Sequence, residues 1–85
     1  MIGRIVCSLA GRDKDCFMVV VELKEDKVFV CDGKHRPLER PKLKNIKHLK
    51  LTNSYLKEEQ FKTNRSLRRA LNEYSGKVLC IKEEN

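Results

Sequence analysis

Three short apolar runs near the start of the chain, separated by polar segments of turn length, constrain the fold most. Residues 3–10 form the first run, residues 16–23 are dense in β-branched and aromatic side chains, and residues 28–31 (VFVC) form the third run. Strands joined by such short segments pair antiparallel, because a parallel pair needs a long crossover connection. The spacing therefore predicts a β-meander.

The following stretch has no helical pattern. Asp32-Gly33 is a strong turn signal after the third run, because glycine accepts a positive φ without steric cost. Pro37 and Pro41 exclude a regular helix and are tolerated only in loops or at strand edges. Imperfect alternation over residues 45–51 predicts the last strand of the sheet.

The pattern becomes helical after Thr52. One apolar stripe recurs at i, i+3, i+4 and i+7 and comprises Leu67, Ala70, Leu71 and Tyr74. Thr63 or Asn64 can cap the start of this helix, and Gly76 stands where a C′ residue is expected. The apolar character of residues 77–82 then predicts a final short strand.

Positive charge is concentrated in one segment. The whole chain carries 19 Lys plus Arg and 12 Asp plus Glu, a formal net charge of +7. Residues 34–50 hold seven of the basic residues and one acid, Glu39, so this segment alone is +6 (7 − 1) and the remainder +1. A solvated basic face is the simplest interpretation, but so dense a cluster repels itself and favours a phosphate-bearing partner.

The start of the chain resembles a KOW motif. The matching residues are 3–14 (GRIVCSLAGRDK) and 19–22 (VVVE), with Gly11 at the position of the motif's glycine and Ala-Gly-Arg-Asp as its most specific part. The motif often has a second glycine where Asp15 stands here. Residues 30–33, 36–47 and 49–52 further resemble large-subunit ribosomal proteins of the fourteen-e type and their short bacterial relatives. The likeness covers residues 2–56.

This resemblance implies a mainly β protein, namely a small SH3-like β-barrel with a C-terminal helical appendage. The barrel would comprise residues 1–56, and residues 57–85 would form a helical extension packed on the same domain. The implied function is binding of RNA, ribosomal RNA in particular, or association with the ribosome through a basic loop surface. Ribosomal proteins are further candidate partners. The concentrated positive charge favours the same function independently.

Nine residues are the candidate RNA contacts, and Gly11 is expected to serve a structural turn. The candidates lie in the KOW loop and in the basic segment: Arg12, Lys14, Lys34, His35, Arg36, Arg40, Lys42, Lys44 and Lys47. Arg12 and Lys14 alternate with acids, so they either reach phosphate or keep the loop solvated. His35 either stacks on a base or is an ordinary loop residue. A second patch, Arg65, Arg68 and Arg69, is either an exposed helix face or part of the binding surface.

Other classes of function find less support. An SH3-like protein-interaction module of the transcription or translation machinery is the alternative, although grooves for proline-rich peptides need exposed aromatic residues and this chain has five aromatic residues in all. The sequence contains neither a Ser-His-Asp pattern nor a Gly-rich phosphate loop, so we expect no enzymatic activity.

Cysteine spacing and hydropathy indicate the compartment. Cys7, Cys16, Cys31 and Cys80 form no C-x-x-C pair and each lies in an apolar run, so we expect reduced, structural thiols with no metal and no cofactor. No apolar run approaches the roughly 20 residues that span a bilayer, and no secretion signal is visible at the start. These features predict a cytoplasmic protein with no membrane partner.

Overall fold

The protein forms one antiparallel sheet followed by one long helix. A computed structural model describes the backbone of residues 1–9, 11, 14 and 16–84, and the side chains of these residues as far as residue 76. The strand order is β4-β3-β2-β1-β5, so the fifth strand returns to pair with the first. The elements are β1 (Arg4–Ser8), β2 (Phe17–Lys24), β3 (Lys27–Cys31), β4 (Lys42–Asn45), a 3-10 turn (Ile46–His48), β5 (Leu49–Tyr55), a second 3-10 turn (Glu58–Phe61) and the helix α1 (Asn64–Glu84).

The predicted meander is confirmed, and the strand predicted over residues 45–51 is wrong. The first three strands lie within two residues of their predicted bounds. In place of the single predicted strand, β4 ends at Asn45, a 3-10 turn follows, and β5 begins at Leu49. The Asn45 side chain accepts a hydrogen bond from the Lys47 N–H at 2.9 Å, which stabilises this turn and separates the two strands.

The sheet curls so strongly that the edge strand β4 approaches β1. Val6, Met18 and Val20 are fully buried on one face, which no helix covers within the described part of the chain. The Lys44 Nζ on β4 donates to the Ser8 Oγ on β1 at 2.8 Å, although β2 and β3 lie between these strands. Three strand spacings of a flat sheet amount to about 14 Å, beyond the reach of these side chains. Hydrogen bonding does not close the sheet, because β4 and β5 are its two edges.

The helix covers the opposite face of the sheet. Leu67 and Leu71 of α1 pack against Ile5, Val19 and Cys31, all of them buried. The ring of Tyr74 meets the ring of Phe17 edge-on, with 5.1 Å between centroids. Because alternate residues of a strand point to opposite faces, β1 and β2 supply both the enclosed core and the helix-covered core. The predicted apolar stripe of the helix is thus confirmed as its packing face.

The helix begins as predicted but does not end as predicted. Thr63 is the residue that caps it: its Oγ1 accepts from the Ser66 N–H at 3.1 Å, and the Ser66 Oγ accepts from the Thr63 N–H at 3.2 Å. The prediction that Gly76 ends the helix and that residues 77–82 form a strand is wrong, because α1 continues to Glu84. A glycine inside a helix costs about 1 kcal/mol relative to alanine, which weakens a helix without terminating it.

The described cysteines differ in their exposure. Cys31 is buried, Cys7 is half-buried and Cys16 is exposed, and all three are free thiols. The expectation that Cys16 is a structural thiol within an apolar strand is therefore wrong, because Cys16 is exposed and precedes β2. The side chain of Cys80 lies outside the described residues. No helix in the described part of the chain is long and apolar enough to cross a membrane.

Candidate nucleic-acid interface

Four of the nine predicted RNA contacts line two separate clefts. One, which we name the strand cleft, has a volume of about 420 Å³ and lies at the β4 edge of the sheet. Its lining combines the β1–β2 turn, the start of β3, β4 and the 3-10 turn after it, namely Gly11, Lys27, Lys42, Leu43, Lys44, Asn45 and His48.

Strand register brings the β4 lysines into the strand cleft. Lys42 pairs with Val30 and Lys44 pairs with Val28, and directly paired residues share one face of a sheet. Both valines belong to the enclosed core, on the face of the sheet that α1 does not cover. Both lysines therefore lie on that same face, in the edge strand β4. Lysines on an edge strand also hinder pairing with another chain. This structural role is the alternative to a binding role for the two lysines.

The strand cleft is electropositive. Three lysines line it, and none of its described lining residues is acidic. Two further predicted contacts lie beside it on the chain and are exposed: Lys14, whose N–H donates to the Gly11 carbonyl at 3.2 Å, and Lys47 in the 3-10 turn. Predicted residue Arg12 lies outside the described residues. Sequence reasoning missed Lys27, which becomes visible only once β4 and its pairing with β3 are known.

Gly11 has a backbone conformation that favours glycine. Its φ is +79°, in the left-handed region, and no atom lies within 4 Å of the place where a Cβ would stand. The turn therefore requires the conformation rather than the small size of glycine. Gly11 is also exposed, so its backbone borders the strand cleft without obstruction.

The second cleft lies between the β3–β4 loop and α1, and we name it the helix cleft. It is open, with a volume of about 810 Å³. It brings Lys34 and His35 of the predicted basic segment together with the three helix arginines that sequence reasoning treated as a separate patch. The basic and acidic residues that line it are Asp32, Lys34, His35, Arg65, Arg68, Arg69 and Glu73.

Specific contacts hold the β3–β4 loop against the start of α1. The Asn64 Oδ1 accepts from the Leu38 N–H at 2.7 Å, and its Nδ2 donates to both carboxylate oxygens of Glu39 at 3.0 Å. Gly33 packs so closely that an added Cβ would stand 2.5 Å from the Asn64 carbonyl oxygen and 3.1 Å from the Arg68 Cγ. The loop therefore has a defined position relative to the helix arginines.

The acidic residues of this region form contacts within the protein. The Asp32 Oδ1 accepts from the N–H groups of Lys34 and Arg36, both at 2.8 Å, and so stabilises the turn. Burial, followed by the negative charges of Asp32 and Glu39, raises the pKa of the Cys31 thiol to about 11. Cys31 is therefore a neutral thiol at physiological pH, and its Sγ donates to the Pro37 carbonyl at 3.5 Å.

Besides Lys14 and Lys47, two further predicted contacts line neither cleft, namely Arg36 and Arg40. Arg36 is half-buried, and its carbonyl accepts from the N–H groups of Asp32 and Gly33, which places it in the turn. Arg40 is exposed on the loop after Pro37. Among the aromatic side chains only Tyr55 is exposed, and the Arg4 guanidinium lies 5.6 Å from its ring centroid. The protein thus presents cations and no platform of several stacked rings.

No protein-family model matches this chain, and no curated protein matches it. Among the described residues, no group of three or more His, Cys, Asp or Glu side chains is placed to hold a metal ion. The geometry and charge of the two clefts are therefore the features that point to a function.

Proposed function

We propose that this protein binds RNA, ribosomal RNA in particular, and that the strand cleft contacts the phosphate backbone. The observation that carries the proposal is the convergence of Lys27, Lys42 and Lys44 from two strands in a cleft with no acidic residue among its described lining. Clustered lysines act as point charges toward phosphate, and neutralising phosphates releases counterions, which is the main source of sequence-independent affinity.

The curled sheet supports an SH3-like barrel as the architecture of this site. Its fifth strand returns to the first, and the bond between Lys44 and Ser8 joins the edge strand β4 to β1 across the two strands between them. The resemblance of residues 2–56 to KOW proteins implies the same barrel and RNA binding through loops at one end. In this chain the Gly11 turn, which belongs to the resemblance, borders the strand cleft.

Recognition at this site depends on charge and shape. Lys44 is held by its hydrogen bond to Ser8, so part of the cationic surface is ordered before RNA arrives and less entropy is lost on binding. His48 adds a ring N–H that can donate to a phosphate oxygen. Base stacking contributes little, because Phe17, Phe29 and Phe61 are all half-buried. We therefore expect weak sequence preference.

The protein-interaction alternative is less well supported by the same surface. Grooves for proline-rich peptides are lined by exposed aromatic rings. Tyr55 is the one exposed aromatic side chain, on the edge strand β5, and it does not line the strand cleft. The lysine-rich lining favours a polyanion over such a peptide, and the proposal assigns the protein a binding role with no catalytic step.

A salt titration tests this proposal, with a labelled RNA duplex and a labelled single strand as ligands. Affinity for both should fall steeply between about 50 and 200 mM salt, with a slope proportional to the number of phosphates contacted. The variant Lys27→Gln with Lys42→Gln should lower the slope by roughly two units, one for each lost contact. It leaves the bond between Lys44 and Ser8 in place.

The matched control removes two charges elsewhere. Lys57→Gln with Lys62→Gln changes two exposed lysines that line neither cleft, and it produces the same change in net charge. Its slope should stay close to that of the unaltered protein. A flat salt response of the unaltered protein would contradict RNA binding, and equal losses in both variants would contradict the strand cleft as its location.

A further inference from the structure

We propose that the helix cleft is a second contact for the phosphate backbone of the same RNA, so that the RNA is bound by both the strand cleft and the helix cleft. This inference rests on the proposed function. It concerns residues of α1, which lie beyond the part of the chain that resembles KOW proteins.

The arginines of the helix cleft are placed unfavourably for the helix itself. Arg65 has Arg68 three residues ahead and Arg69 four residues ahead, and like charges at these spacings destabilise a helix. The first turn of α1 contains no acidic residue, although the helix dipole favours negative charge there. All three arginines are exposed. A bound polyanion would supply the compensating negative charge.

The chemistry of the cleft fits phosphate. A guanidinium presents planar paired donors that bind two oxygens of one phosphate, and a lysine adds a mobile point charge. The helix contributes the guanidinium groups, and the loop contributes Lys34 and His35, both exposed. A phosphate backbone lying between loop and helix would meet cationic donors from both sides.

Asn64 positions the two halves of the cleft. It is the first residue of the arginine-bearing helix, and its side chain binds the Leu38 N–H and the Glu39 carboxylate of the loop. Gly33, directly before Lys34, packs on the Asn64 carbonyl and on Arg68. Because these contacts fix the loop before binding, less ordering entropy is lost when RNA enters.

The lining favours RNA over an acidic protein. Energetic centres of protein interfaces are aromatic or aliphatic anchors that fill pockets. The apolar side chains of Leu71 and Phe17 in this cleft already pack within the protein. Leu71 is buried in the core, and the ring of Phe17 packs against Tyr74. Five of the exposed lining residues carry a full charge, and four of them are the cations Lys34, Arg65, Arg68 and Arg69, which suit a backbone of repeated phosphates.

The first test removes the helix charges. In the salt titration described above, Arg65→Gln with Arg68→Gln should lower RNA affinity roughly tenfold for each lost contact near 0.1 M salt, and should lower the slope by roughly two units. Lys57→Gln with Lys62→Gln again serves as the control, because it removes the same charge beside α1 but outside the cleft. Thermal melting of each variant reports whether the fold is retained.

The second test separates a built cleft from a diffuse positive field. Asn64→Ala leaves every charge in place but releases the loop, so RNA affinity should fall several-fold while the salt slope changes little. Hydrogen exchange of the Leu38 N–H should accelerate in the same variant, because its acceptor is lost. Unchanged affinity together with accelerated exchange would contradict the proposal, since the position of the loop would then not matter for binding.

The outcomes distinguish the two proposals. Failure of the unaltered protein to bind RNA would overturn both of them. RNA binding that the arginine variant retains at the level of the lysine control would overturn the helix cleft alone. If the arginine variant loses binding to poly-glutamate but keeps its RNA affinity, the occupant of the helix cleft is an acidic protein. That result would also overturn the helix cleft as an RNA contact.

Discussion

The two clefts of this protein are both basic, but they are built in different ways. The strand cleft arises from sheet register: pairing of β4 with β3 places Lys42 and Lys44 on the face of the enclosed core. The helix cleft arises from tertiary contacts, because Asn64 and Gly33 join a loop to a helix that begins some 30 residues later in the chain. The strand cleft has no acid among its described lining residues, whereas Asp32 and Glu73 line the helix cleft.

This difference shows that charge concentrated in sequence need not be concentrated in space. The +6 segment of residues 34–50 contributes Lys34 and His35 to one cleft and Lys42 and Lys44 to the other. Each cleft then recruits cations from outside that segment. The basic residues are therefore divided between two surfaces, each assembled from distant parts of the chain.

The largest difference in stability is expected between alanine substitutions of Gly11 and Gly33, which have the same φ of +79°. Gly11→Ala introduces strain only, with an expected cost of about 1–2 kcal/mol. Gly33→Ala adds a clash with the Asn64 backbone oxygen, which should cost a further 1–3 kcal/mol or so. Urea unfolding of the two variants measures the difference. Equal losses would contradict the close packing of the loop on α1.

A smaller loss of stability is expected at alkaline pH, and it arises on the face of the sheet that α1 covers. The pKa of the Cys31 thiol is raised to about 11 from 9.0, so the unfolded chain releases this proton first and stability should fall as pH rises from 9 to 11. Cys31→Ala should remove this part of the decline. Cys16→Ala, at an exposed thiol lining the helix cleft, is the control. Identical declines in both variants, measured by unfolding free energy against pH, would contradict the shift.

Sequence patterns predicted the strands that carry apolar runs and failed where charge or packing decides. The apolar runs of β1, β2 and β3 were sufficient because these strands supply most of the core. The Lys-Leu-Lys-Asn sequence of β4 gives no such signal: its lysines border the enclosed core and Leu43 is partly exposed. The strand exists because β3 offers it hydrogen-bonding partners.

The candidate site shows the same division. Local sequence located Gly11, Lys42 and Lys44, since a turn glycine and a charge cluster are visible along the chain. Local sequence did not indicate that Lys34 and Arg68 line the same cleft, because that juxtaposition depends on how α1 packs across the sheet. The length of α1 was also hidden, since a single glycine weakens a helix without ending it.

The most direct test of the two-cleft account is the salt slope of RNA binding in a four-protein cycle. It comprises the unaltered protein, the Lys27→Gln/Lys42→Gln variant, the Arg65→Gln/Arg68→Gln variant and the protein carrying all four substitutions. Each pair should lower the slope by roughly two units in either background, so that the fourfold variant loses about four. Equal slopes for all four proteins, with RNA still bound, would contradict the account.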